Sequence, residues 1–308
     1  MSEDKEAVVI QRCASCGAAG GDDIKLKRCN GCFLVKYCCV KCQRDHWPKH
    51  KKECKKRAAE LKDEILFKQP EGNHHGDCPI CCLPLPIDPS KSILASCCSK
   101  RICQGCDFAD QKREYEGQLQ NKCPFCREVV PTTRKEQMEQ WMKRIEANDP
   151  VAMRYMGKEA YKEGDYKSAL EYCTKAAALG DADAHYQLSI SYLTGTGVEK
   201  DEKKEFHHLT EAAIGGHPNA RHNLGCTEEE NGHHDRAAKH FIIAAKLGYD
   251  KSLEAVKELY KAGYVRKEIF TAALRGYQTA IAATKSPQRE EAAEFFEFVE
   301  EEIRSGAV

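Results

Sequence analysis

The sequence predicts a mainly α-helical chain in which two small cysteine-rich modules precede an α-solenoid of helical hairpins. Seventeen of the nineteen cysteines lie between Cys13 and Cys126, and only Cys173 and Cys226 lie beyond them. Further along, short segments with paired alanines and a closing glycine recur at intervals of 36, 32 and 28 residues. A chain of 308 residues has room for two or three folding units, and the change in cysteine usage marks the main boundary.

The density of cysteine indicates either a secreted disulfide scaffold or metal sites in a reducing compartment. The first residues favour metal sites, because residues 3–6 are all charged and the apolar run Ala7–Ile10 is too short for a signal peptide. No run of eighteen apolar residues occurs, so no membrane span is expected. We therefore expect a cytoplasmic or nuclear protein whose thiolates are available to bind zinc.

Charge is balanced overall but unevenly distributed. The formal net charge is zero, while residues 49–57 carry six lysines and arginines in nine positions and residues 290–302 are strongly acidic. A basic run of this length is more typical of a solvated helix face than of a nucleic-acid site. Proteins are therefore the expected partners, and a nucleic-acid-associated regulator is kept as an alternative.

The first cysteine-rich module contains eight potential zinc ligands in four closely spaced pairs. The pairs are Cys13 and Cys16, Cys29 and Cys32, Cys38 and Cys42, and His50 and Cys54. Two intervening residues let both sulfurs of a pair reach one metal ion, and a spacing of four places a pair on one face of a helix. Because about forty residues cannot bury enough apolar surface to fold alone, zinc, worth on the order of 10 kcal/mol per site, is expected to support this module.

This module resembles the MYND zinc finger from Cys13 to Cys54. The resemblance is carried by Tyr37-Cys38, Cys42-Gln43, His46-Trp47, His50 and Cys54. It implies one zinc ion on Cys13, Cys16, Cys38 and Cys42 and a second on Cys29, Cys32, His50 and Cys54. Cys39 and His46 are then expected to have packing roles, because both tetrahedral sites are complete without them. The resemblance implies binding of short, often proline-containing peptides, and no catalysis.

The second cysteine-rich module resembles a RING finger of the all-cysteine type from Cys78 to Pro131. The resemblance implies a cross-brace of two zinc sites. One site would be formed by Cys78, Cys81, Cys103 and Cys106, and the other by Cys97, Cys98, Cys123 and Cys126. Cys82 directly follows a ligand and is expected to be a packed thiol.

Cys97 and Cys98 leave two alternatives open. RING fingers separate their third and fourth ligands by at least one residue, whereas these two cysteines are adjacent. Either both bind, so that the chain holds four zinc ions with two in each module, or one binds and water completes the site. A three-ligand structural site would be unusual, which favours ligation by both.

A RING-type module acts as a scaffold that holds a charged ubiquitin-conjugating enzyme in a reactive geometry and supplies no nucleophile. The resemblance maps the docking surface onto Ile80 and Pro124, with Phe108 at its border, and maps the arginine that bridges ubiquitin and its carrier onto Arg127. Alternatively, Ile80 and Pro124 only shape the zinc loops and Arg127 is an exposed charge. Because fold does not fix function, a RING-type ubiquitin ligase and a non-catalytic scaffold both stay open, and no catalytic residue is assigned.

From residue 150 onward the sequence predicts stacked helical hairpins that bury a shared core. The repeated segments, each expected to end a helix with glycine as its C-cap, begin at Ala176, Ala212, Ala244 and Ala272. Together with Thr194–Val198 and Asp201, these segments resemble the Sel-like repeat, a relative of the tetratricopeptide repeat, from Pro150 to about Gly276. The resemblance implies a concave surface that binds proteins.

The sequence thus divides into consecutive segments with distinct roles. They are the MYND-like finger (13–54), a helix and linker (55–75), the RING-like finger (76–131), a connecting helix that contains Trp141 (132–149), the Sel-like repeats (150–285) and an acidic helix that caps the array (287–308). We expect an adaptor that recruits client proteins or peptide motifs through its repeats and its first finger.

Overall fold

The computed structural model describes residues 11–117 and 120–305, which form two compact units, one up to Lys68 and the other from Gln69. The charged N-terminal residues that argue against a signal peptide lie outside these ranges, as do the last three residues of the predicted acidic helix. Within the described ranges, no helix combines the length and the apolar character that a bilayer span requires.

The first unit consists of a small hairpin and one long helix. Strands β1 (Lys27–Arg28) and β2 (Lys36–Tyr37) pair antiparallel, and helix α1 (Val40–Leu66) follows. Helix α1 begins where the Sγ atom of Cys39 accepts a hydrogen bond from the backbone N–H of Cys42. The helix predicted within residues 55–75 is present as the C-terminal part of α1, which continues the helix of the finger through Leu66.

The core of the first unit is made largely of sulfur. Its buried members are Cys13, Cys29, Cys32, Tyr37 and Cys54. The lysines of the basic run on α1 are exposed, as predicted for a solvated helix face. Because so little hydrocarbon is buried, we expect metal coordination to contribute most of the free energy that stabilises the fold of this unit.

The second unit begins with the other cysteine-rich module. A 3-10 turn (Pro89–Lys91) leads into strands β3 (Ser92–Leu94) and β4 (Arg101–Cys103), which pair antiparallel, and helix α2 (Gln104–Glu116) follows directly. The Sγ atom of Cys103 caps α2 by accepting a hydrogen bond from the backbone N–H of Cys106 at 3.4 Å. Leu85 and Ile102 are buried among the cysteines of this module.

Helices α3 to α11 continue the second unit. Their bounds are α3 (Arg134–Glu146), α4 (Pro150–Lys162), α5 (Tyr166–Ala178), α6 (Ala182–Thr194), α7 (Glu202–Ile214), α8 (Pro218–Glu230), α9 (His234–Lys246), α10 (Asp250–Lys261) and α11 (Lys267–Ala283). Helices α4 and α5, α6 and α7, and α8 and α9 pack as hairpins. The alanines and leucines at matching positions of the first helices, Ala184 with Leu188 and Ala220 with Leu224, are fully buried. Small residues at these positions let neighbouring helices approach closely.

The glycines that end the first three repeated segments behave as predicted, and the fourth does not. Gly180, Gly216 and Gly248 have positive φ angles of 86°, 81° and 96°, the left-handed conformation that ends a helix. Gly276 instead lies inside α11, which runs on to Ala283. The residues after Gly276 are mostly good helix formers and include no proline before the helix ends, so the helix continues.

The acidic helix also differs from its predicted role. Helix α12 (Pro287–Ser305) packs mainly along α2 of the cysteine-rich module and does not simply cap the repeat array. The ring of Phe108 on α2 lies 4.9 Å from that of Phe295 and 6.1 Å from that of Phe296. Aromatic contacts with Phe108 therefore join this helix to α2, beside the fully buried Ala292.

Candidate metal centres

The structure gathers the predicted zinc ligands into four groups of four. The groups are Cys13, Cys16, Cys38 and Cys42; Cys29, Cys32, His50 and Cys54; Cys78, Cys81, Cys103 and Cys106; and Cys97, Cys98, Cys123 and Cys126. Within each group, all ligand atoms lie within 4.8 Å of one another. These sets are the ones that the two family resemblances imply.

The distances within the groups fit zinc. Tetrahedral zinc with Zn–S bonds of about 2.3 Å separates its sulfur ligands by about 3.8 Å. One Sγ to Sγ distance from each group in turn is 3.6 Å for Cys16 and Cys38, 3.7 Å for Cys29 and Cys54, 3.8 Å for Cys81 and Cys103, and 3.9 Å for Cys98 and Cys123. All nineteen cysteines are free of disulfide bonds. The four groups therefore have both the donors and the spacing for one zinc ion each.

The histidine of the first unit is held by its neighbours. The Nε2 atom of His50 lies 3.2 Å from the Sγ atom of Cys32, which places the imidazole among the sulfurs. The ring of His46 stacks on that of His50 with centroids 5.7 Å apart, and its Nδ1 atom lies 3.0 Å from the hydroxyl of Tyr37. His46 is thus outside the ligand group but orients the histidine within it, as outer residues of metal sites commonly do.

The second module has interleaved sites, the arrangement of a cross-brace. Cys97 and Cys98 are adjacent in sequence, yet both sulfurs lie in one group: Cys97 Sγ is 3.3 Å from Cys126 Sγ. Cys82 lies outside the groups and is exposed, with a positive φ of 55°. The expectation that it is a packed thiol is therefore wrong, since its side chain faces solvent.

The thiols of the second module differ in acidity. A hydrogen bond from the thiol of Cys103 lowers the pKa of Cys78 to about 4, although burial opposes the shift, and the same bond raises the pKa of Cys103. The backbone N–H of Cys103 also donates to Cys78 Sγ at 3.5 Å. Zinc binding would replace the protons of all four thiols in this group, so that the ligands become thiolates.

The residues that the RING resemblance assigns to partner binding have different environments. Ile80 is 41% exposed, while Pro124 between the ligands Cys123 and Cys126 is half-buried. Phe125, which the resemblance does not assign, lies next to Pro124 and is 43% exposed.

Arg127 is held within its own module. Its guanidinium forms ion pairs with Asp110 at 3.2 Å and with Glu114 at 3.3 Å, both on α2. Arg127 is therefore more than the exposed charge of the alternative interpretation, because it ties the second zinc loop to the helix.

A polar cluster in the linker was missed by sequence reasoning, which treats residues 73–75 as a loop. His74 Nε2 lies 3.1 Å and His217 Nε2 lies 3.4 Å from the Oδ1 atom of Asp183, and Arg154 lies 3.5 Å from Oδ2. Burial would raise the pKa of Asp183, but hydrogen bonds from the two histidines lower it well below its usual value. His74, His75 and Asp183 are close enough to hold a metal ion. Asp183 already binds both histidines, and the backbone N–H of His74 donates to the carbonyl oxygen of Gly216 at 3.1 Å, so we assign the cluster to holding the linker against α6 and the start of α8.

Comparisons with known proteins match the first module and the repeat array to known families. The model of the MYND finger matches residues 13–54, and the model of the Sel1 repeat matches residues 150–181, 182–217 and 218–249. The fourth predicted repeat, whose glycine lies inside α11, is beyond the matched residues.

Curated relatives share only short segments with this chain. Human histone-lysine N-methyltransferase SMYD3 is 58% identical over 31 residues, which cover 10% of this chain and 7% of that protein. The SET domain and MYND-type zinc finger protein 6 of Schizosaccharomyces pombe is 36% identical over 52 residues, 17% of this chain and 11% of that protein. The similarity thus spans a small fraction of the length of these relatives.

Two solved structures that are similar to part of this chain are described as repeat proteins. A Sel1 repeat protein from Oxalobacter formigenes is 25% identical with a TM-score of 0.36, covering 40% of this chain and 98% of that one. The antigen c5321 of uropathogenic Escherichia coli, which displays an SLR fold, is 22% identical with a TM-score of 0.38, covering 54% and 37%. On the matches of the two family models, this chain contains a MYND finger and three Sel1 repeats, modules that generally mediate protein–protein interactions.

Proposed function

We propose that this chain is a zinc-stabilised adaptor whose finger and repeats bind partner proteins while its zinc ions hold the modules in shape. The observation that carries the proposal is that each ligand group supplies four protein donors. A catalytic zinc site keeps one position for water or substrate, whereas a site closed by four protein ligands is structural. When bound, zinc would supply cross-linking of the chain and no chemistry on a substrate.

The repeat array offers a surface for a partner. Tyr161 at the end of α4 and Tyr166 at the start of α5 are both exposed, with ring centroids 5.2 Å apart. Beside Tyr161 is a groove of about 190 Å³ that Leu170 and Gln187 help to line. Exposed aromatic side chains beside a groove are typical of the anchoring points of protein interfaces.

The adaptor proposal is tested by quantitative affinity capture with the full chain. The Tyr161→Ala/Tyr166→Ala variant should lose a defined subset of the proteins captured by the wild type. Tyr115→Ala, at a position on α2 that is 86% exposed and outside the array, should retain that subset. Identical captured sets for all three chains would contradict a binding role for this surface.

A ubiquitin ligase is the second candidate, and the exposure of Ile80 and Phe125 beside the zinc loops favours it. The ion pairs of Arg127 weigh against it, because this guanidinium is already engaged by Asp110 and Glu114. A self-ubiquitination assay with a broad panel of conjugating enzymes separates the two candidates. Activity that is lost in Ile80→Ala and reduced in Arg127→Ala would establish the ligase. Inactivity with the whole panel would leave the adaptor as the remaining candidate.

We also propose a cytoplasmic or nuclear location for the chain. Zinc sites built from so many cysteine thiolates need a compartment that keeps thiols reduced. Fractionation of cells that express the tagged full chain tests this, and recovery from the secretory pathway would contradict it.

A further inference from the structure

An arginine from the far end of the chain reaches a zinc loop of the second module. Arg289 lies in the first turn of α12, and its Nη2 atom donates to the Sγ atom of Cys81 at 3.3 Å, across 208 positions of sequence. The same nitrogen donates to the carbonyl oxygen of Leu83 at 3.2 Å. The other terminal nitrogen, Nη1, donates to the carbonyl oxygens of Pro84 at 2.7 Å and Thr284 at 2.8 Å. One guanidinium thus binds both a ligand sulfur and the loop that carries it.

Close packing holds the arginine in this place. At Gly105 on α2, an added Cβ atom would lie 2.9 Å from the Cα atom of Arg289, so the backbones of the two helices meet where only glycine fits. Further along, Lys112 forms an ion pair with Glu291 at 3.0 Å, and Phe108 packs on the phenylalanines of α12. The position of Arg289 is therefore fixed by contacts that do not involve the sulfur.

The contact also has an electrostatic role. A zinc ion bound by the thiolates of Cys78, Cys81, Cys103 and Cys106 would form a site with a formal charge of −2, because four thiolates outweigh one divalent cation. A half-buried guanidinium beside Cys81 offsets part of this charge, and its hydrogen bond fixes the direction of the sulfur. Charge-assisted hydrogen bonds of this kind are about twice as strong as neutral ones.

We propose that Arg289 is a positioning residue of the zinc site formed by Cys78, Cys81, Cys103 and Cys106. The zinc-holding unit is then longer than residues 76–131, because it requires the start of α12. Residues that orient metal ligands from outside typically change metal affinity by about 10- to 100-fold when they are removed.

The test compares the full zinc-loaded chain with the variants Arg289→Ala and Arg289→Lys. The readouts are the rate of zinc transfer to a chromogenic chelator and the order in which cysteines are alkylated, followed by mass spectrometry. In Arg289→Ala, one of the zinc ions should leave about tenfold faster, with Cys81 labelled early. Arg289→Lys keeps the charge on a single donor nitrogen, so it should restore much of the slow release. Arg304→Ala, at an exposed position in the last turn of the same helix, should match the wild type.

A second variant separates positioning from simple packing. Phe296→Ala weakens the contact of α12 with α2 but leaves the guanidinium in place. Faster zinc loss in Arg289→Ala than in Phe296→Ala, with rescue by lysine, supports the proposal. Equal zinc loss in the two alanine variants, no rescue by lysine, or an unchanged rate in Arg289→Ala would overturn it.

Discussion

The Sγ atom of Cys98 lies 3.9 Å from that of Cys123, although Cys98 directly follows another ligand, Cys97, in the chain. A tight turn makes this possible. The backbone N–H of Ser99 donates to the carbonyl oxygen of Ala95 at 2.8 Å, and Ser99 has a positive φ of 55°. Because the chain turns at Cys97 and Cys98, the sulfur atoms of these two adjacent residues lie in the same ligand group.

Substitution of Cys98 should therefore remove one zinc ion. The full chain is expected to bind four zinc ions, and Cys98→Ser should bind about three, because a site with three thiolates holds structural zinc poorly. Elemental analysis of purified protein measures the ratio. Cys82→Ser, next to a ligand but outside the groups, should still bind four. Four zinc ions in Cys98→Ser would mean that Cys98 is not a ligand.

Trp141 is the clearest hydrophobic anchor between α3 and the repeats. Its side chain is fully buried, and its ring stacks on that of Tyr155 with centroids 4.4 Å apart. We expect Trp141→Ala to lower the free energy of unfolding by about 3–5 kcal/mol, because it leaves a cavity where a large aromatic ring packed. Urea denaturation followed by circular dichroism measures the loss, with Tyr115→Ala as the exposed control. A loss below about 1 kcal/mol would show that α3 is not anchored in this way.

Two glycines inside helices should respond in opposite ways to alanine. An alanine Cβ at position 225 would lie 2.5 Å from a ring carbon of Phe241, which is buried, so Gly225→Ala should cost about 1–3 kcal/mol of unfolding free energy. At position 276 the nearest atom, at 2.6 Å, is Cγ of the exposed Lys246, which must rotate about its Cα–Cβ bond to make room. Gly276→Ala should therefore be neutral or stabilising by up to about 1 kcal/mol. Equal effects of the two substitutions on urea denaturation would contradict this packing.

His208 should make stability depend on pH. Burial, with a contribution from His185, whose Nδ1 atom is 3.0 Å away, lowers the pKa of His208 to about 4. The unfolded chain binds a proton at this residue below about pH 6.5, whereas the folded chain does so only below about pH 4. Stability from this group is therefore complete above pH 6.5 and declines as the pH falls towards 4.

The variant His208→Phe isolates this contribution. Urea denaturation at pH 7 and pH 5 should show a smaller loss of stability for His208→Phe than for the wild type, since phenylalanine keeps the ring stacked on Tyr192 but does not titrate. Zinc release at low pH would affect both chains alike. His207→Phe, at the exposed neighbouring position, should keep most of the wild-type dependence, because His207 lowers the pKa of His208 less than burial does. The same pH dependence in all three chains would refute the assignment.

Local spacing identified the ligand pairs, because the two members of a pair such as Cys13 and Cys16 lie within one turn. The family resemblances then indicated which two pairs share a zinc site. Features that depend on long-range packing were not predictable in the same way. The paired alanines before Gly276 resemble those before Gly248, which does end a helix, and the two sites differ in the residues on the C-terminal side of each glycine. The contact of Arg289 with Cys81 spans most of the second unit, so no local pattern could reveal it.

The central claim is that zinc coordination, and no disulfide bond, holds the cysteine-rich modules together. The most direct measurement is the circular dichroism of the full chain before and after exhaustive chelation, combined with elemental analysis and thiol counting. We predict four zinc ions per chain, a partial loss of the ordered signal on chelation as both cysteine-rich modules unfold, and free thiols throughout. A chain that keeps its fold without metal, or whose cysteines are joined in covalent pairs, would contradict the account.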